Sequence, residues 1–202
     1  ESEMKKTALS IVAGLTLSVS ATAVLADGHG EITVAYFLEW PLPMMAANSS
    51  GAYDEALGMK VNWVSFETGT AMSAAMASGD VQIAVSQGLP PFVVATSGGQ
   101  DLELLDVAVS YAENQGCVVH ADLEIDKDSA EELAGRKVAV PLGTAAHYSF
   151  IRHMNHFGIS LDSLSIVDMP QPEAANALGQ KSIDLACGYG VGYATMQEFG
   201  NV

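Results

Sequence analysis

From Glu31 onward the chain alternates short apolar runs with stretches of helical periodicity, and this alternation limits the fold more than any other feature. Strands are expected at residues 32–37, 60–66, 81–86, 102–110, 116–120, 138–141, 164–168 and 182–187. Helices are expected between them, at 41–57, 69–78, 90–97, 129–134, 145–157, 172–179 and from about 191. Strand, helix, strand in repetition builds parallel pairs through crossovers, so the expected class is α/β, with mainly parallel sheets flanked by helices. No segment is of low complexity and no linker stands out. An internal echo subdivides the chain: AMASGDVQIA at 75–84 resembles ANALGQKSIDLA at 175–186. Each is a helix of small residues, a glycine stop, a polar turn and an alternating strand. Two units of one design, about 100 residues apart, suggest two lobes, taken as 27–115 and 116–202.

Residues 1–26 stand apart from this pattern. Met4 is followed by Lys5 and Lys6, an apolar run from Ala8 to Val24 and a small-residue end at Ala26, which together read as a secretory signal peptide. The run is short and rich in Ala, Ser and Thr, which argues against a membrane anchor. Residues 1–3 precede the Met and are set aside as an N-terminal extension. The expected location is therefore the periplasm.

Charge narrows the partners. The net charge is −16 with 24 acidic residues against 8 basic ones, two of which are Lys5 and Lys6. Such a surface repels nucleic acid and anionic lipid. Any anionic ligand must be held by local donors. The two cysteines, Cys117 and Cys187, suit an exported protein in which one disulfide forms; two separate buried thiols fit the spacing equally.

Polar and aromatic residues gather where strands end and helices begin, the usual place for a ligand in such folds. Glu39 and Trp40 precede Pro41, a residue suited to a first helical position. They read either as an ammonium site, a carboxylate beside an indole face, or as helix-start acidity with a half-buried Trp. Thr68, Gly69 and Thr70 open the 69–78 helix, and Ser86 and Gln87 follow the third strand. In the second half, VAVPLGTAAHYS breaks at Pro141 and Gly143 and re-enters as a helix, bringing Thr144, Ala145, His147 and Tyr148 to one point; Tyr189 ends a later strand. A helix start offers free backbone NH groups and a partial positive charge, so it holds an anion without Lys or Arg. Each threonine reads equally well as a plain cap.

Chemistry beyond binding has little support. His147, His153 and His156 supply only one pair at helical spacing, and neither HExxH nor CxxC occurs, so no metal and no cofactor is expected. No serine sits in a G-x-S-x-G elbow, and the GYGVG run at 188–192 lacks the dinucleotide spacing.

Taken together, these segments resemble the solute-binding component of taurine-type ABC transporters, within the nitrate, sulfonate and taurine binding family. The likeness is carried by VAYFLEWP at 34–41, GDVQI at 79–83 with SQG at 86–88, VAVP at 138–141, HYS at 147–149 and HFGI at 156–159. It implies a type II periplasmic binding fold, two lobes that close over ligand about a hinge, acting as a monomer that delivers its load to a membrane permease. It further implies a small zwitterionic or anionic ligand such as taurine. The sulfonate would take donors at Thr68–Thr70 and Thr144–Ala145, and the ammonium would face Glu39 and Trp40. Nitrate, another alkanesulfonate or a thiamine-precursor pyrimidine are alternatives. A pyrimidine-synthesising enzyme of the same fold family would need a lysine in these turns and a cysteine-rich motif, and neither is found. Such proteins continue well past this length, so the second lobe is expected to be incomplete, with abnormally exposed Leu or Val.

Overall fold

The structure is a computed structural model that describes residues 30–38, 40 and 42–201. Residues 1–29, on which the expected signal peptide falls, Glu39, Pro41 and Val202 lie outside the described residues. The elements form two sheets. The first has the order β2-β1-β3, with β1 at Ile32–Tyr36, β2 at Val61–Ser65 and β3 at Ile83–Ala84, all parallel. Its helices are α1 (Met44–Ser49), α2 (Ala52–Leu57), α3 (Gly69–Ser78) and α4 (Leu89–Ser97).

The second sheet has the order β6-β5-β7-β4-β8. Its strands are β4 (Gln115–His120), β5 (Lys137–Val140), β6 (Ser165–Asp168), β7 (Leu185–Tyr189) and β8 (Gly200–Asn201). The chain between them forms α5 (Ala145–Phe157), α6 (Gln171–Gly179) and α7 (Gly190–Met196). β5 runs parallel to β6 and β7, while β4 is antiparallel to β7 and β8.

Alternation along the strands explains the layering. Val138 and Val140 point to the α5 side, where Phe150 and Met154 cover them with Leu185 and Cys187. Ala139 and Ala186 point the other way, under Leu178 of α6 and Tyr193 and Met196 of α7. A sheet buried on both faces reads as a continuous apolar run, as VAVP does. The first core is smaller, built on Ala35, Phe37, Met72 and Val81. Cys117 and Cys187 stand opposite each other in the β4–β7 register and form a disulfide.

The sequence expectations differ from the structure at five places. The helix expected at 41–57 divides into α1 and α2, because Gly51 takes φ +71 and ends one helix where the next begins. The 129–134 helix is a single 3-10 turn, Ala130–Leu133. The strand expected at 81–86 pairs only through the two residues of β3. The strand expected at 182–187 is set later, at Leu185–Tyr189, after Lys181 turns at φ +58. The strand expected at 102–110 is not a strand: this segment pairs with neither sheet. Alternating apolar residues favour a strand only when a neighbour accepts their backbone bonds. Its Leu105 and Val107 are 72% and 70% exposed, and Leu89 and Val94 of α4 are also exposed. Exposed Leu and Val therefore concentrate between residues 38 and 109, whereas the second half, where they were expected, exposes only Leu142 and Val191 among its described Leu and Val.

Candidate functional site

Because the three strands of the first sheet are parallel, their C-terminal turns gather on one edge. The same holds for β5, β6 and β7. The two sets of turns meet. Phe37, just after β1, lies edge-on to Tyr189, the last residue of β7, with ring centroids 5.9 Å apart. A Cβ placed on Gly143 would come within 2.9 Å of Thr70 Cγ2. Trp40 packs on the cores of both sheets, and its ring lies 4.6 Å from that of Tyr111.

On the first-sheet side, Thr68 has extended backbone and caps α3, its Oγ1 accepting the Ala71 N–H at 3.1 Å and sharing a 3.0 Å bond with Thr70 Oγ1. Gly69 is required for packing as much as for access: any Cβ there would run into the Gln87 carbonyl oxygen and lie 2.7 Å from Pro91 Cγ. Gln87 reaches across and donates through Nε2 to Ser73 Oγ, which donates to the Gly69 carbonyl. The 86–88 turn and the start of α3 are thus one packed unit. Ser86 adopts φ +60, uncommon for a residue with a side chain, and its hydroxyl is covered with no hydrogen-bond partner.

On the second-sheet side, Thr144 is buried and caps α5. Its hydroxyl donates to the Pro141 carbonyl at 2.6 Å and accepts the His147 N–H at 3.4 Å. That hydroxyl is committed within the turn, so the donors of this helix start are its backbone NH groups, at Ala145 among others. The Gly143 N–H donates to His147 Nδ1 at 3.1 Å, and the Leu142 N–H donates to Asp168 Oδ1 at 3.0 Å. Burial pulls the His147 imidazole below its ordinary pKa, against the pull of the Asp168 carboxylate. Tyr148 is exposed, one position beyond.

Sequence reasoning missed Asp168 and Gln171. Gln171 is fully buried at the start of α6; its Oε1 accepts the Tyr189 N–H at 2.9 Å, and Gly188 and Gly192 leave room for its side chain. The available signal was position: both residues flank a strand-to-helix turn, as the residues chosen do. An open groove of about 530 Å³ lies along the seam, lined by Leu38, Ser65, Phe66, Glu67, Thr68, Ala71 and Pro170. It contains Thr68 but not Thr144, His147, Tyr148 or Tyr189. The structure therefore brings Trp40, Thr70, the 141–144 turn and Tyr189 to one seam, with Thr68 facing the groove beside it. Among the described residues no group of three His, Cys, Asp or Glu side chains is placed to hold a metal ion.

Comparison with known proteins adds a direction. Residues 41–199 match the family described as NMT1/THI5 like. The chain is 30% identical to a taurine-binding periplasmic protein of Escherichia coli over 154 residues, which is 76% of this chain and 46% of that protein. It is 24% identical over 145 residues to a putative aliphatic sulfonates-binding protein of Bacillus subtilis, covering 70% and 43%. Among solved structures, the alkanesulfonate-binding protein SsuA from Xanthomonas axonopodis pv. citri, bound to MOPS, has the same fold. It aligns with a TM-score of 0.70 at 18% identity, over 79% of this chain and 54% of that one. The chain spans about half the length of the curated relatives it matches.

Proposed function

The chain belongs to the NMT1/THI5-like family, and from that premise we propose that it is the solute-binding component of an ABC transporter, capturing taurine or a related small sulfonate. It works in the periplasm as a monomer and hands its ligand to a membrane permease, with no covalent chemistry. The two sheets with their helices act as the two lobes. The observation that carries the reading is the meeting of the α3 and α5 starts, with Gly143 seated against Thr70. Two helix N-termini converging on one seam supply several NH donors and two partial positive charges, so a sulfonate can be held on a chain of net charge −16 without a basic side chain.

The zwitterion requires an opposite pole. Glu39 and Trp40 fill that role in the sequence reading, and Glu67 lines the groove next to Thr68. A carboxylate there pairs with the ammonium and discriminates taurine from ethanesulfonate, which lacks it. Support comes from the 30% identity to a taurine-binding protein and from the sulfonate-binding descriptions of the other relatives.

A thermal-shift panel tests the reading, because a ligand that binds only the folded protein stabilises it by mass action, about 2.7 kcal/mol at a hundred times its Kd. Taurine is expected to raise the unfolding midpoint more than ethanesulfonate, nitrate or a hydroxymethylpyrimidine. A larger rise with nitrate or the pyrimidine would move the assignment to that ligand. No rise with any of them at millimolar concentration would remove it.

A further inference from the structure

The turn at which the second sheet touches the first is fastened by a titratable side chain. His147 Nδ1 accepts the Gly143 N–H at 3.1 Å, which requires a bare nitrogen lone pair and therefore a neutral ring. Gly143 has little room to adjust: its φ is +73, and a Cβ there would come within 2.9 Å of Thr70 Cγ2. On either side the turn is held by groups that keep their bonds, Leu142 N–H to Asp168 and Thr144 Oγ1 to the Pro141 carbonyl.

We propose that neutral His147 is a positioning residue that fastens the 141–144 turn against Thr70, and that protonating it releases the turn and weakens ligand capture. The inference rests on the sulfonate reading of the seam and adds a pH control to it. An imidazolium carries N–H on both nitrogens, so the Gly143 contact changes from donor and acceptor to donor against donor. The middle of the turn then has to move while its two ends stay tied.

The surrounding charges are few. Asp168, at the end of β6, favours the cation, and burial opposes it more strongly. On α5 itself lie Tyr148, Arg152, His153 and His156. Of the elements packed on α5, β4 carries His120, β5 carries Lys137 at its far end, β7 carries Tyr189, and α4 has no ionisable side chain. The sign follows from the lowered pKa. The unfolded chain takes up the proton first as pH falls, so the folded turn is fully stabilised above the ordinary imidazole value of about 6.5 and loses stability below it. Taurine keeps its sulfonate ionised and its amine protonated throughout that range, so a pH effect belongs to the protein.

The test compares wild type, His147→Asn and His147→Ala at about pH 7.5 and about pH 5, measuring taurine affinity and the unfolding midpoint of the free protein. The Asn Oδ1 stands where Nδ1 stands, accepts the same N–H and does not titrate in this range. Wild type is expected to lose about tenfold in affinity on acidification, the scale of one partly buried donor left unpaired. The Asn variant, whatever its affinity at the higher pH, should hold that affinity within about twofold at the lower. The Ala variant should be weak at both. His153 and His156 are present in all three proteins, so the difference isolates His147. Equal acid losses in wild type and the Asn variant would overturn the inference. If wild type fails to bind taurine at the higher pH, the sulfonate reading falls. The free-protein midpoints then decide: a steeper acid drop in wild type than in the Asn variant supports His147 as the fastening group, and equal drops overturn it.

Discussion

Replacing Cys117 and Cys187 together by Ala should remove a large part of the stability, and most of the loss should arise in the denatured chain. The two residues pair directly across β4 and β7, 70 residues apart. The loop so closed holds β5, α5, β6 and α6, which is most of the second sheet and its covering helices. In the chain-entropy account, closing a 70-residue loop removes ~15 cal/mol/K from the unfolded ensemble, about 4.4 kcal/mol at room temperature. Loss of the buried Cys187 sulfur from its packing with Val138 and Leu185 adds about 1 kcal/mol. Set against a usual total of about 5–15 kcal/mol, the variant should be close to unfolding at physiological temperature. Urea titrations followed by circular dichroism would compare oxidised wild type, reduced wild type and the double variant. Both uncrosslinked proteins should show a lower midpoint and a steeper dependence on urea, because a denatured chain freed of its cross-link exposes more surface. The difference between them isolates the packing part. A loss below about 1 kcal/mol with an unchanged slope would refute the claim that this bridge constrains the second sheet.

Four further substitutions have outcomes set by their immediate surroundings. Gly69→Ala, whose Cβ would meet the Gln87 carbonyl and Pro91, should destabilise by about 2 kcal/mol or more and abolish taurine binding. Gly30→Ala, with open space around it, should shift chemical denaturation by under about 0.5 kcal/mol; equal effects would show that the 86–88 turn yields to α3. Phe150→Ala removes a fully buried ring beneath the second sheet and should cost about 3–5 kcal/mol in urea unfolding. Thr68→Val keeps the shape but loses the acceptor for the Ala71 N–H, and should cost about 1 kcal/mol of stability while weakening calorimetric taurine binding. Unchanged binding would detach the α3 start from the site.

How far the fold was legible depends on what each residue answers to. The VAVP strand and the α5 periodicity are local signals with a matching tertiary fate, so β5 and Ala145–Phe157 were read with small errors. Residues 102–110 carry an equally good strand pattern, yet a strand depends on a partner that the residues themselves do not encode. The break at Gly51 was available, since a glycine at φ +71 between two short helical runs is a local event. At the candidate site, Thr68 and Thr144 were legible as caps because N-caps have a sequence signature. Gln171 and Asp168 were not, because their work is to hold backbone NH groups of Tyr189 and Leu142, 18 and 26 residues away. Gly69 reads from the sequence as a ligand contact, and its geometry adds the close approach of Gln87, which only the folded chain reveals.

The most direct test of the binding claim is a crystal structure of the protein grown with saturating taurine. The prediction is one taurine at the seam, its sulfonate oxygens about 2.7–3.2 Å from backbone NH groups of both the α3 and α5 starts, with its ammonium against a carboxylate on the first-sheet side. Taurine bound to one helix start alone, or absent from the seam at saturating concentration, would contradict it.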